Sequence, residues 1–357
     1  MCGAGGQGHD HLDEAEAGSA RPRSVVGTAT DPIRLEEVDE LVITALVDNS
    51  FDALLGDSES ARRPRLGQSG TVAAPQFEGG RTSPGLMAEH GFSALVTARR
   101  GTVSHTILFD TGVSPDGLAT NMERLGISAS DIEAIVLSHG HFDHAGGFAG
   151  LSRLRGREGL PLSLHPLAFT HRRIAPPGMT PFEIPTLSRT SLISEGFEVV
   201  ERRWPSSLLD GMILVTGEID RTTDFEQGMP FHERLGDNGW GPDPLITDDQ
   251  AIVVNVRGLG IVVLTGCGHA GAVNIARHAM RLTSTDKLHA LMGGFHLSGP
   301  AFEPIIEPTV AALVELGPAL IVPAHCTGWK AQHRLAAAFP RAFVPNSVGT
   351  TYTLAAA

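Results

Sequence analysis

The stretch QAIVVNVRGLGIVVLTG (250–266) constrains the fold most: two aliphatic, β-branched runs joined by a glycine-containing turn, with little polar alternation in either. A strand apolar on nearly every residue has to be covered on both faces, as in a sheet held between other layers. Shorter runs of the same kind recur at ELVITALVDNS (40–50), FSALVTA (92–98), HTILFDTG (105–112) and IEAIVLS (132–138). FEVVERR (197–203), MILVTGE (212–218) and ALIVPAH (319–325) follow later. DGLATNMERLG (116–126) has helical spacing at Leu118, Met122 and Leu125 and a stop at Gly126, and helices are expected over 270–283, 303–316 and 329–339. Strands alternating with helices in both halves make an α/β fold. With aromatic residues at only 5 % of the chain, its core has to rest on Val, Leu, Ile and Ala.

Residues 1–38 are rich in Gly, Ala, Asp and Glu without periodicity and read as a mobile tail. The HDH pair there, His9 and His11, has no third ligand held in place. Residues 39–357 read as one domain. Within it, 51–88 looks like a long polar loop, and the Gly- and Pro-rich stretch 219–247 is expected to be a loop covering the site. A formal charge of −13 sets the chain against phosphate backbones, so nucleic acid is not an expected partner. Three cysteines without a CxxC pair give no disulfide framework and point to a reducing compartment. MCGAGGQGHDHLDEAEAG lacks the basic and apolar regions of a secretory signal, and no apolar run reaches the ~20 residues of a membrane span. A cytoplasmic location and no membrane association are therefore expected.

The chemistry concentrates in LSHGHFDHAGG (137–147), where three histidines and an aspartate fall within six positions. Residues two apart in an extended segment point to one side, so His139 and His141 can grip one ion. A turn into Gly146-Gly147 would redirect Asp143 and His144 to a second point. Imidazole and carboxylate donors suit Zn²⁺, and also Mn²⁺, Fe²⁺ or Mg²⁺. Two further apolar runs end at Gly266 to His269 and at His325, so three strands deliver histidines to their carboxyl ends, where α/β proteins place ligands.

H-x-H-x-D-H after a strand, with FDTG (109–112) upstream, resembles the metallo-β-lactamase superfamily. EHGFSALV (89–96), TGEIDRTTDFE (216–226), LTGCGHAGAVN (264–274), GGFHL (293–297) and PAHCTG (323–328) are similar to one subfamily, the 7,8-dihydropterin-6-yl-methyl-4-(β-D-ribofuranosyl)aminobenzene-5′-phosphate synthases. The resemblance covers residues 41–350. It implies an αββα sandwich of two mixed β-sheets flanked by helices, with two metal sites. His139, His141 and His269 would hold one ion, and Asp143, His144 and His325 the other. Many relatives carry a bridging aspartate where this chain has Cys267, so either Cys267 takes that place or the protein supplies no bridge. Cys326 is expected to point away if His325 points in.

Asp110 reads as a carboxylate that orients a metal-bound histidine or fixes a turn. Asp143 and His296 are the candidate catalytic groups, Asp143 by orienting a hydroxide and His296 as an acid or a phosphate contact, although a structural histidine is an alternative for the latter. Glu89 and His90 enter as weaker substrate contacts through the resemblance. His165, His171, His232, His278, His289 and His333 are assigned to surface or core. A helix starting just after His269 would offer its amino-terminal NH groups to an anion. Three functions are carried forward. The first is a hydrolase that uses a metal-bound hydroxide on a small anionic phosphoester or lactone. The second is a synthase-type transferase releasing pyrophosphate, and the third is a metal-holding sensor without turnover.

Overall fold

The computed structural model describes residues 32–65 and 67–355. Two mixed β-sheets lie face to face with helices on both outer sides. The first has eight strands in the order Phe197–Glu201, Leu160–Leu164, Ala134–Val136, Val103–Phe109, Ser93–Arg100, Glu40–Val47, Thr351–Ala355 and Ala61–Arg62. Its first four strands pair in parallel and the remaining pairings are antiparallel. The second runs Ser206–Leu208, Ile213–Val215, Ala251–Val256, Gly260–Thr265, Leu288–Gly294 and Leu320–Ala324, with Glu37–Val38 added in parallel to Ala251–Val256.

Alternation along each strand divides the core into three layers. In Gly260–Thr265, Val262 and Leu264 face the other sheet, where they meet Ile43, Val96, Ile107 and Phe109. Ile261 and Val263 face outward onto the helices Ala272–Thr283, Ile306–Leu316 and Trp329–Ala338. On the opposite side Leu108, Ile135 and Leu162 pack against Leu118, Met122 and Leu151 of Gly117–Leu125 and Phe148–Arg155. Both faces of each sheet are therefore covered, which is why the strands read as continuous apolar runs. Truncating a central member such as Leu264 to Ala costs about 2–5 kcal/mol.

Two boundaries differ from the sequence reading. The tail gives way to packed chain before residue 38: the amide of Ile33 donates to the carbonyl of Leu282 (2.7 Å), and Val38 is fully buried in the sandwich. Leu35 and Val38 are apolar enough to hold this segment down; residues 1–31, with His9, His11 and Cys2, lie outside the described residues. Over 51–88 the described chain makes only two-residue strands, as a loop would. The stretch 219–247, expected to be a loop, contains a hairpin of His232–Gly236 and Gly239–Pro242, which joins Arg172–Ile174 and Phe182–Ile184 in a separate four-stranded sheet. Its strands are largely exposed and polar, so they lack the apolar run that marks the other strands. No helix among the described residues is long and apolar enough to cross a membrane.

Candidate metal centre

Each candidate ligand sits just beyond the carboxyl end of a strand, along one edge of the sandwich. Val136 leads to Ser138–His144, Thr265 to Cys267 and His269, Gly294 to His296, Ala324 to His325, and Phe109 to Asp110. The HAGG motif is glycine-rich because it lies on the turn after FDTG. A Cβ on Gly146 would stand 1.8 Å from the carbonyl oxygen of Val113, and one on Gly147 2.1 Å from that of Thr111.

Three imidazoles gather here, with His269 in contact with the other two. His269 Nε2 is 3.2 Å from His139 Nε2 and 3.2 Å from His141 Nδ1. The Ser138 hydroxyl donates to Asp110 Oδ2 (2.7 Å), so His139 must donate its Nδ1–H to Ser138 Oγ (2.9 Å). That leaves His139 Nε2 as a bare lone pair. Burial holds His139 and His269 far below the ordinary histidine range and His141 at about 3, so all three are neutral. Nitrogens bound 2.0–2.1 Å from a tetrahedral ion stand about 3.3 Å apart, close to the two spacings measured from His269.

The second set is Asp143, His144, Cys267 and His325, whose ligand atoms lie within 4.8 Å of one another. Asp143 Oδ2 is 3.3 Å from His325 Nε2 and 3.8 Å from His144 Nε2. Cys267 Sγ is 3.2 Å from His144 Nε2 and 3.3 Å from His325 Nε2. His144 donates Nδ1–H to Asp110 Oδ2 (2.6 Å), and His325 donates Nδ1–H to Asn49 Oδ1 (3.2 Å), so both present Nε2 inward. Burial opposes a charge on His144, but Asp110 and Asp143 outweigh it and raise its pKa to about 9. A cation at Nε2 would replace the proton that these carboxylates favour. Burial also works against a charged Asp143, yet His144 and His325 hold its pKa below the usual carboxylate range. The donor chemistry of both sets therefore fits a metal ion.

Cys267 lies between the sets, because its sulfur is also within 4.8 Å of ligand atoms of His139 and His269. Cys326 corrects the expectation that it points away: its thiol donates to the carbonyl of Cys267 (3.1 Å) and lies within 4.8 Å of Cys267 Sγ and a ring nitrogen of His296.

Asp110, read from the sequence as orienting a histidine or fixing a turn, contacts His144 Nδ1, stands at φ 59°, is fully buried, and also accepts the amide of Ser138 (2.6 Å). Glu89 does not face the site. Its carboxylate accepts the amides of Val113 (3.0 Å) and Ser114 (3.1 Å) and pins the turn after FDTG. His90 accepts from Asn49 Nδ2 (3.1 Å) and turns Nε2 toward Asp143 Oδ2 at 3.9 Å from an exposed position. His296 lies against His269, with ring centroids 4.3 Å apart and the rings tilted by 49°, and its buried Nδ1 has no partner among the described residues.

The helix Ala272–Thr283 does not offer its amino terminus to a substrate. Glu226 already takes the amides of Val273 (2.9 Å) and Asn274 (2.9 Å). His232, assigned to surface or core, is buried with Nε2 3.2 Å from His141 Nε2. Behind it, Arg172 joins Asp243 (2.9 Å) to Asp248, whose Oδ2 accepts the amide of Gly140 (2.9 Å). Asp48 accepts the amide of His325 (2.7 Å). Asp48 and Asn49 could have been suspected, because DNS follows a strand as the other site loops do. His232 carries no local signal. Beside the second set opens a pocket of about 460 Å³, lined among others by His90, His296, His325, Cys326 and Trp329.

Residues 89–325 match the metallo-beta-lactamase superfamily. Over 271 residues the chain is 31 % identical to 7,8-dihydropterin-6-methyl-4-(beta-D-ribofuranosyl)-aminobenzene-5'-phosphate synthase of Methanocaldococcus jannaschii, spanning 74 % of this chain and 89 % of that one. It is 28 % identical to an uncharacterized protein of the same organism, over 70 % of this chain and 88 % of the other. A solved structure described as a metal-dependent hydrolase of the beta-lactamase superfamily matches with a TM-score of 0.63 at 24 % identity, covering 88 % of this chain and all of that one. That likeness shows the shared fold.

Proposed function

The chain belongs to the metallo-β-lactamase superfamily, and from that premise we propose that it is a metal-dependent enzyme hydrolysing a small anionic phosphoester or lactone. The observation that carries this reading is the pair of adjoining donor sets meeting at Cys267 beside a pocket of small-molecule size. His139, His141 and His269 would hold one ion, and Asp143, His144 and His325 the other, with Cys267 between them. Two Zn²⁺ ions so bound would supply an activated water and stabilise developing negative charge. Against two divalent cations the donor sets set one carboxylate and one thiolate, so the loaded site keeps excess positive charge and attracts an anion. This charge replaces the argument from the helix terminus, which Glu226 already occupies.

The chain's own groups do the positioning. Asp110, Ser138 and Asn49 fix which nitrogen each histidine presents. Asp143, with one oxygen toward His325, orients a water at the ligand edge. His296 and His90 flank the pocket as the groups able to pass a proton to a leaving oxygen.

The 31 % identity to the pterin-aminobenzene synthase favours a second reading, transfer between two substrates. The purified chain incubated with a phosphodiester, a lactone panel, and a pterin pyrophosphate with and without an aminobenzene ribofuranosyl phosphate separates the two. Metal-dependent release from a single ester or lactone supports hydrolysis. Product formed only when pterin and aminobenzene are both present supports the synthase. No turnover on any of them, with metal bound, leaves the sensor.

A further inference from the structure

The structure brings a second sulfur to the metal centre. Cys267 and Cys326, both free thiols, follow the strands Gly260–Thr265 and Leu320–Ala324, and Leu288–Gly294 runs between these. The sulfurs nonetheless lie within 4.8 Å of each other. Gly294, at the end of the intervening strand, permits the approach: a Cβ there would stand 2.8 Å from Cys326 Sγ and 3.1 Å from Cys267 Cα. The two cysteines differ in access. Cys267 is buried among the ligands, whereas Cys326 borders the open pocket, so a small oxidant entering that pocket meets Cys326 first.

We propose that Cys267 and Cys326 form a reversible disulfide across Gly294, and that this disulfide and the metal compete for the Cys267 sulfur. The oxidant is hydrogen peroxide. The Cys326 sulfur attacks one peroxide oxygen, the O–O bond breaks, and the thiol becomes a sulfenic acid as one water leaves. The Cys267 thiol then attacks the sulfenic sulfur, the S–O bond breaks, the S–S bond forms and a second water leaves. The two thiols surrender two electrons and two protons, and the peroxide takes up both. Closing to an S–S length of about 2.0 Å pulls Cys267 Sγ off its contacts with His144 and His325 and removes the sulfur donor that stands between the two sets. The disulfide itself needs no metal; its competition with the ion rests on the reading of Cys267 as a ligand.

The test is non-reducing peptide mapping of the full chain treated with hydrogen peroxide, once after chelation and once in zinc. In the chelated protein the peptides holding Cys267 and Cys326 should become linked with the loss of two hydrogens, and dithiothreitol should separate them. Zinc at about 100 times its Kd leaves roughly one chain in a hundred with a free Cys267, so linkage should slow about 100-fold. Sulfinic acids on either cysteine without a linked pair in the chelated protein would overturn the proposal. Linkage at equal rates with and without zinc overturns the competition and removes Cys267 from the ligand set, while the histidine sites stand. Cys326→Ser, which lacks the sulfur that peroxide meets first, should form no linked pair and should hold its bound zinc under peroxide longer than the wild type does; zinc loss from the variant at the wild-type rate also overturns it.

Discussion

Replacing Asp110 with Asn probes the positioning of His144 with little disturbance of shape. Asp110 sits at φ 59°, a conformation Asn tolerates better than most residues, so the backbone can stay in place. Its Oδ1 accepts the Ser138 amide at 2.6 Å, and an Asn Oδ1 can still do so. The other oxygen becomes an NH₂ facing the Nδ1–H of His144, which donates at 2.6 Å in the native protein. Two donors then oppose each other. His144 relieves the conflict by moving its proton to Nε2, the atom that faces Cys267 and Asp143. Loss of a carboxylate behind a metal-bound histidine costs about 10–100-fold in metal affinity, or about 1.4–2.7 kcal/mol. The Ser138 hydroxyl also loses its acceptor, so His139 should weaken by a smaller factor. Zinc titration with a competing chelator should show one of two binding steps reduced about 10–100-fold and the other changed less. Both steps at wild-type affinity would refute the tautomer argument.

Three further outcomes follow from the same contacts. His232→Ala should weaken the three-histidine site by about tenfold, because it removes the partner 3.2 Å from His141 Nε2; cobalt absorption bands unchanged in position and affinity would contradict this. Glu226→Gln should lower stability by about 1–3 kcal/mol in denaturant titration, since the buried carboxylate serves the amides of Val273 and Asn274; a loss below measurement error would show that the helix end needs no anion. His105 is partly buried, which disfavours its charge, but Glu133 (2.8 Å) and Asp210 (3.3 Å) raise its pKa. Its contribution is therefore complete below the unfolded histidine value and fades as pH rises through the raised folded value. Glu133→Gln should destabilise the protein by at most about 1 kcal/mol at acidic pH and by less at alkaline pH, and the reverse trend would contradict the pairing.

The parts of this protein legible in its sequence are those written in local spacing. Val262 and Leu264 facing one way and Ile261 and Val263 the other follow from strand geometry, and covering both faces makes such runs conspicuous. His139, His141, Asp143 and His144 are legible because one loop carries all four. Contacts that depend on distant chain are not. His232 reaches His141 across 91 residues from a hairpin whose strands are too polar and exposed to announce themselves. Glu226 claims the start of Ala272–Thr283 from a segment that reads as loop, so the helix looked free to bind an anion. The direction of Cys326 depends on Gly294 in a neighbouring strand, which spacing along PAHC does not encode.

The central claim is that two ions sit on donors from separate strand ends. Elemental analysis after equilibrium dialysis against zinc tests it directly, in the wild type and in His139→Ala and His325→Ala. The account predicts about two ions per wild-type chain and about one in each variant, with turnover lost in both. A wild-type chain that retains no transition metal, or a His139→Ala variant with unchanged metal content and full activity, would contradict it.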